Sequence, residues 1–84
     1  MTPVFRREEG FVFKVYSNEE DRKHIHVLKA DCEAKYWLEP TIELDYSYGF
    51  NSKELKKIKQ IIEDNASDFK YKFAIHVGKR SDDK

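Results

Sequence analysis

The chain has 84 residues, with 16 Lys plus Arg against 16 Asp plus Glu, which is the size of one charge-balanced domain. A single Cys excludes a disulfide scaffold, 3 Gly and 2 Pro exclude collagen-like and low-complexity chains, and no apolar run is long enough to span a membrane. Six Phe, 5 Tyr and 1 Trp supply the bulk for a packed core and argue against wholesale disorder.

The first residues, MTPVFR, hold no apolar signal core, so a cytoplasmic protein is expected, and the lone Cys32 suits a reducing compartment. Cys32 itself reads as a small turn or strand residue. A β-hairpin is expected from Val4 to Tyr16, turning at Glu8-Glu9-Gly10, where Gly10 is free to take a positive φ. Phe11, Phe13 and Val15 alternate with Val12, Lys14 and Tyr16, a period of two in strand-forming residues. Residues 17–23, SNEEDRK, are polar without periodicity and read as a loop.

Three more alternating stretches follow at residues 24–29, 33–38 and 41–46, separated by turns at Asp31 and Glu39-Pro40. From Asn51 the period changes. Asn51 or Ser52 caps a helix, with Glu54 in the first turn. At about 100° per residue, Leu55, Ile58, Ile62, Phe69 and Phe73 fall within a band of about 60° and form one core-facing stripe. Lys53, Lys56, Lys57 and Asp64 lie on the far, solvated side. The phase continues past Asn65-Ala66-Ser67-Asp68, which predicts one long helix or two collinear ones, and those four residues are also candidate caps of a second helix. The fold class is thus α+β: an antiparallel sheet of four or five strands with this helix on one face. Residues 1–78 form the domain, and residues 79–84 are expected to be a frayed tail.

Burial decides the strand register, because a slip of one residue turns every side chain to the other face. Ile25 and Val27 belong with Ala34, Tyr36 and Leu38 on the core side, which sets Ile25 opposite Tyr36 and leaves a short loop at Ala30-Asp31. In the next hairpin Leu38 should meet Ile42, and Tyr36 should meet Leu44. The other face then carries two rows, His24–Trp37–Glu43 and His26–Lys35–Asp45, both turned away from the helix.

Those rows are the candidate site. His24 and His26 project to one side about 7 Å apart, at ~3.4 Å per residue, a spacing that suits two ligands of one metal ion. Lys35 beside them disfavours a divalent cation, so no metal or other cofactor is expected, and the histidines are weak candidate ligands. They are also candidate acid and base, with Lys35 holding a phosphate, the set of groups a metal-independent ribonuclease needs. A solvated sheet face with alternating charges is the plainer account. Trp37 on an open face marks a contact surface, with Glu43 and Asp45 as binding neighbours. His76 falls on the core side of the helix and reads as a half-buried structural residue. The Lys53/Lys56/Lys57 side reads as solvated.

Charge is uneven along the chain. Residues 1–50 hold 7 basic and 10 acidic side chains, a net of −3, and residues 51–84 hold 9 and 6, a net of +3. An imbalance of that size points only weakly to nucleic acid.

The segments YSNE (16–19), HIHV (24–27), EAKYWL (33–38), GF (49–50), ELKKI (54–58) and IIE (61–63) resemble those of a family of small bacterial proteins, the domain-of-unknown-function 4160 family. Lys23 stands where that family has a proline, and Phe73 where it often has a tryptophan. The resemblance implies a member of a small two-gene module in the manner of toxin–antitoxin pairs, with His24, His26, Lys35 and Trp37 as motif residues. Three functions stand as expectations: a protein-interaction module that meets a small partner or a second copy, a ribonuclease-like toxin with RNA as substrate, and a metal-binding domain. No membrane contact is expected.

Overall fold

Glu9 at φ 53° and Gly10 at φ 85° both take the left-handed conformation. A two-residue hairpin loop of that kind matches the right-handed twist of the strands it joins. It connects β1 (Val4–Glu8) to β2 (Phe11–Lys14). A second two-residue loop, with Ala30 at φ 54°, joins β3 (His24–Lys29) to β4 (Cys32–Trp37), and β5 (Glu43–Tyr48) completes an antiparallel five-stranded meander in chain order. This computed structural model describes residues 4–16 and 22–82, with side chains as far as residue 76. Most of the loop expected at 17–23 and the last two residues of the expected tail lie outside the described residues.

The β3–β4 register is the one burial requires: His24 faces Trp37, Ile25 faces Tyr36, His26 faces Lys35 and Val27 faces Ala34. Ile25, Val27, Ala34, Tyr36 and Leu38 are all buried, with Phe11, Phe13 and Val15 beside them. Between β4 and β5 the expected register holds at Tyr36↔Leu44 and Trp37↔Glu43, then shifts so that Lys35 faces Tyr46. Asp45 is the extra residue of this bulge, so the expected pairing of Lys35 with Asp45 across the ladder is corrected to Lys35 with Tyr46. The strand also starts at Glu43, two residues later than the alternation suggested.

Of the two readings of the helical region, the single long helix is corrected: the chain forms two separate helices, α1 (Ser52–Asp64) and α2 (Ala66–Asp82). Asn51 caps α1 through its side chain, which accepts from the Glu54 N–H at 2.8 Å while the Glu54 carboxylate accepts from the Asn51 N–H at 3.1 Å. Asn65 breaks the run. Its backbone leaves helical geometry at φ −123°, and its side-chain amide donates to the Ile61 carbonyl at 2.8 Å. Its own carbonyl accepts from the Phe69 N–H at 2.9 Å, which opens the next helix. Asn competes for backbone partners in this way wherever a helix ends.

The apolar stripe survives the break. Ile58, Ile62, Phe69 and Phe73 are buried and Leu55 is partly buried against the core, with Ile61 added. Phe69 stacks on Phe13 at 5.6 Å between ring centroids and meets Phe5 at 6.3 Å, which seats α2 over β1 and β2. The Tyr36 hydroxyl donates to the Leu55 carbonyl at 3.1 Å, which ties α1 to β4. Burial of each large apolar side chain here contributes about 1.5–3 kcal/mol. Among the described residues no helix is long and apolar enough to cross a membrane.

Candidate functional site

Period-two alternation along β3 and β4 places His24, His26, Lys35 and Trp37 on the sheet face opposite Ile25, Val27 and Tyr36, and the ladder brings them together. The His24 and His26 rings lie 5.4 Å apart and nearly perpendicular. His24 is 5.6 Å from Trp37, and Tyr16 sits edge-on to His26 at 4.5 Å. These residues form one continuous aromatic cluster.

The cluster is not the open surface expected from the alternation. His24 is 0% exposed, His26 4% and Lys35 8%, whereas Trp37 is half-buried. The row starting at His24 is not clear of the helices either, because the Phe73 ring of α2 lies 5.1 Å from the His24 ring. His24 opens β3, so its ring sits at the end of the sheet, where a residue from the helical side reaches it. In this arrangement both imidazoles are buried, His24 wholly and His26 nearly so.

Hydrogen bonds and charges set each side chain. His24 Nδ1 lies 2.6 Å from the Arg22 carbonyl, so Nδ1 carries the proton and donates. His26 Nδ1 is 3.5 Å from the Glu33 carboxylate, and the Tyr46 hydroxyl donates to that same carboxylate at 3.2 Å. The Tyr46 phenol is pushed up to about 12, first by burial and then by the negative charge of Glu33. Lys35 Nζ reaches Asp45 at 3.6 Å, so the two remain neighbours on the outer face although Tyr46 is the ladder partner of Lys35. Glu43 faces Trp37 across the ladder and accepts from the Thr41 hydroxyl at 2.7 Å.

Two cations flank the indole. The Arg22 guanidinium lies 4.0 Å and the Lys35 ammonium 4.3 Å from a Trp37 ring centroid. At these distances each cation is attracted to the ring's π-density. Arg22, Tyr16, Glu33 and Tyr46 escaped the sequence reading. Glu33 shares the outer face by strand parity and was within reach of it, whereas Tyr46 reaches that face only through the bulge at Asp45 and Arg22 enters from a loop whose path carries no periodic signal. His76 approaches the Tyr16 carbonyl at 3.4 Å and is half-buried. Among the described residues no three His, Cys, Asp or Glu side chains are grouped to hold a metal ion.

Beyond Trp37 the outer face runs onto the edge strand β5. There the Tyr46 and Tyr48 rings lie 5.4 Å apart, and Tyr48 is 66% exposed. Comparison with known proteins finds a family model described as Domain of unknown function (DUF4160), which matches residues 10–74. No curated protein and no solved structure matches the chain.

Proposed function

The chain belongs to the DUF4160 family, and we propose that it works as a protein-interaction module that docks a partner protein on the outer sheet face, from Trp37 to Tyr48. The observation that supports this most directly is the half-buried indole in contact with the Arg22 and Lys35 cations at 4.0 and 4.3 Å. An aromatic side chain already fixed in place loses little rotamer freedom on docking, so more of its burial goes into affinity. The buried imidazoles act as the floor that holds the indole, and Glu43 and Asp45 are rim residues with small individual effects.

Such a surface suits the role of one member of a two-protein pair. The test is co-expression with the product of the adjacent reading frame, followed by calorimetry of the purified pair. Wild-type protein should bind, and Trp37→Ala should weaken binding by about 2 kcal/mol or more, as expected for an aromatic at an interface centre. Equal affinity of wild type and variant would remove Trp37 from the interface and end this reading.

A further inference from the structure

On the helical side of the molecule, away from Trp37, a groove of about 550 Å³ lies between α1 and the β1–β2 end of the sheet. That volume falls in the range of small-ligand sites, ~300–1,000 Å³. Its surface is mostly apolar, with the Phe11 ring as the part contributed by β2. Four lysines line it: Lys29 from β3, and Lys53, Lys56 and Lys57 from α1. Two carboxylates, Glu9 and Glu54, face them.

Both carboxylates are already engaged. Glu9 pairs with Lys57 at 3.0 Å, and Glu54 accepts from the Asn51 N–H in the capping box of α1. Among the described residues, Lys53 and Lys56 have no carboxylate within ion-pair distance, and Lys29 lies over the Phe11 ring at 4.9 Å. These three lysines therefore line an apolar hollow with no ion pair to a carboxylate among the described residues. Lysine stems supply further apolar wall while their ammonium groups stay hydrated.

We infer that this groove binds a small phosphate ester whose apolar body enters the hollow while its phosphate meets Lys29, Lys53 and Lys56. The charge count selects against a continuous polyanion, since a nucleic-acid backbone would have to pass Glu9 and Glu54. A single phosphate can sit among the lysines without that repulsion. The isolated helix side carrying Lys53, Lys56 and Lys57 reads as merely solvated, and it is the approach of Phe11 and Lys29 that turns it into one wall of a site.

The experiment is an amide NMR titration of the full chain with adenosine 5′-monophosphate, adenosine and inorganic phosphate as separate probes. The nucleotide should saturably shift the amides of Phe11, Lys29, Lys53 and Lys56, and bind more tightly than either fragment. Lys53→Gln with Lys56→Gln, both on the exposed side of α1, should weaken it about tenfold, as loss of two exposed charge contacts implies. Glu9→Gln should strengthen it by releasing Lys57, while Lys70→Gln on α2 and Trp37→Ala should leave it unchanged. Equal affinity for inorganic phosphate would show that the apolar walls contribute nothing. Equal affinity for adenosine would show the same of the lysines. Either result, or no saturable shift with the nucleotide, overturns the assignment.

Discussion

Replacing Trp37 with Ala separates what the indole does for the fold from what it does for a partner. The indole makes an edge contact with the His24 ring at 5.6 Å and carries cations at 4.0 and 4.3 Å. An aromatic pair of this kind is worth about 0.5–1.5 kcal/mol beyond its area, and each cation contact about 0.5–1 kcal/mol near the surface. Together they predict a loss of about 1.5–3.5 kcal/mol. A domain of this size has roughly 4–13 kcal/mol to lose, so the variant should fold with a lowered urea midpoint. His24→Ala should cost more, about 3–5 kcal/mol. That ring is fully buried against His26, Trp37 and Phe73, and its removal leaves the Arg22 carbonyl without the 2.6 Å bond. Urea titration followed by far-ultraviolet circular dichroism measures both. If Trp37→Ala costs more than His24→Ala, or costs under ~0.5 kcal/mol, the indole is not a half-buried cap over a buried imidazole, and the reasoning from this geometry is wrong.

Gly49 takes φ +87°, and a Cβ there would stand 2.7 Å from Cys32 Sγ, so Gly49→Ala should lose about 2–4 kcal/mol from backbone strain and displaced sulfur. In a double-mutant cycle, Cys32→Ala should return about half of that loss, and strict additivity would show that the sulfur is not the obstacle. Tyr46 should ionise late in an ultraviolet pH titration, near about 12. Glu33→Gln should bring that value part of the way down, because burial is the larger cause. The neutral phenol is the form the fold favours. Its contribution is therefore intact below the ordinary tyrosine value of about 10 and is lost as pH climbs from there through about 12. A Tyr46 that titrates with the exposed tyrosines would contradict its placement against Glu33.

Strand alternation and the need to bury Ile25, Val27, Ala34 and Tyr36 were enough to establish the β3–β4 register and the two-residue loop at Ala30-Asp31. They also established which side chains share the outer face with Trp37. Local patterns carry this information because neighbouring strands differ by one residue of register or none, and one residue reverses the face. The helical stripe from Leu55 to Phe73 was legible for the same reason, since its phase passes through Asn65 undisturbed. A break at Asn65 was legible only as one of two alternatives, because Asn is compatible with an interior position as well as a cap.

Periodicity assigns a side chain to a face and is silent on what covers that face. His24 is packed by a partner distant in the chain, Phe73, which lies 5.1 Å from it across 49 positions of sequence. Arg22 reaches Trp37 from a non-periodic loop, and the ladder partner of Lys35 is Tyr46, with Asp45 kept only as an ion-pair neighbour, because β5 takes one extra residue. Phe11 and Lys29 close a groove with lysines more than twenty positions further along. The sequence by itself determined the sheet, its faces and the placing of His24, Lys35 and Glu43 beside Trp37. Only the tertiary structure decided which of them meet water, because exposure depends on contacts between elements, and no local period encodes those.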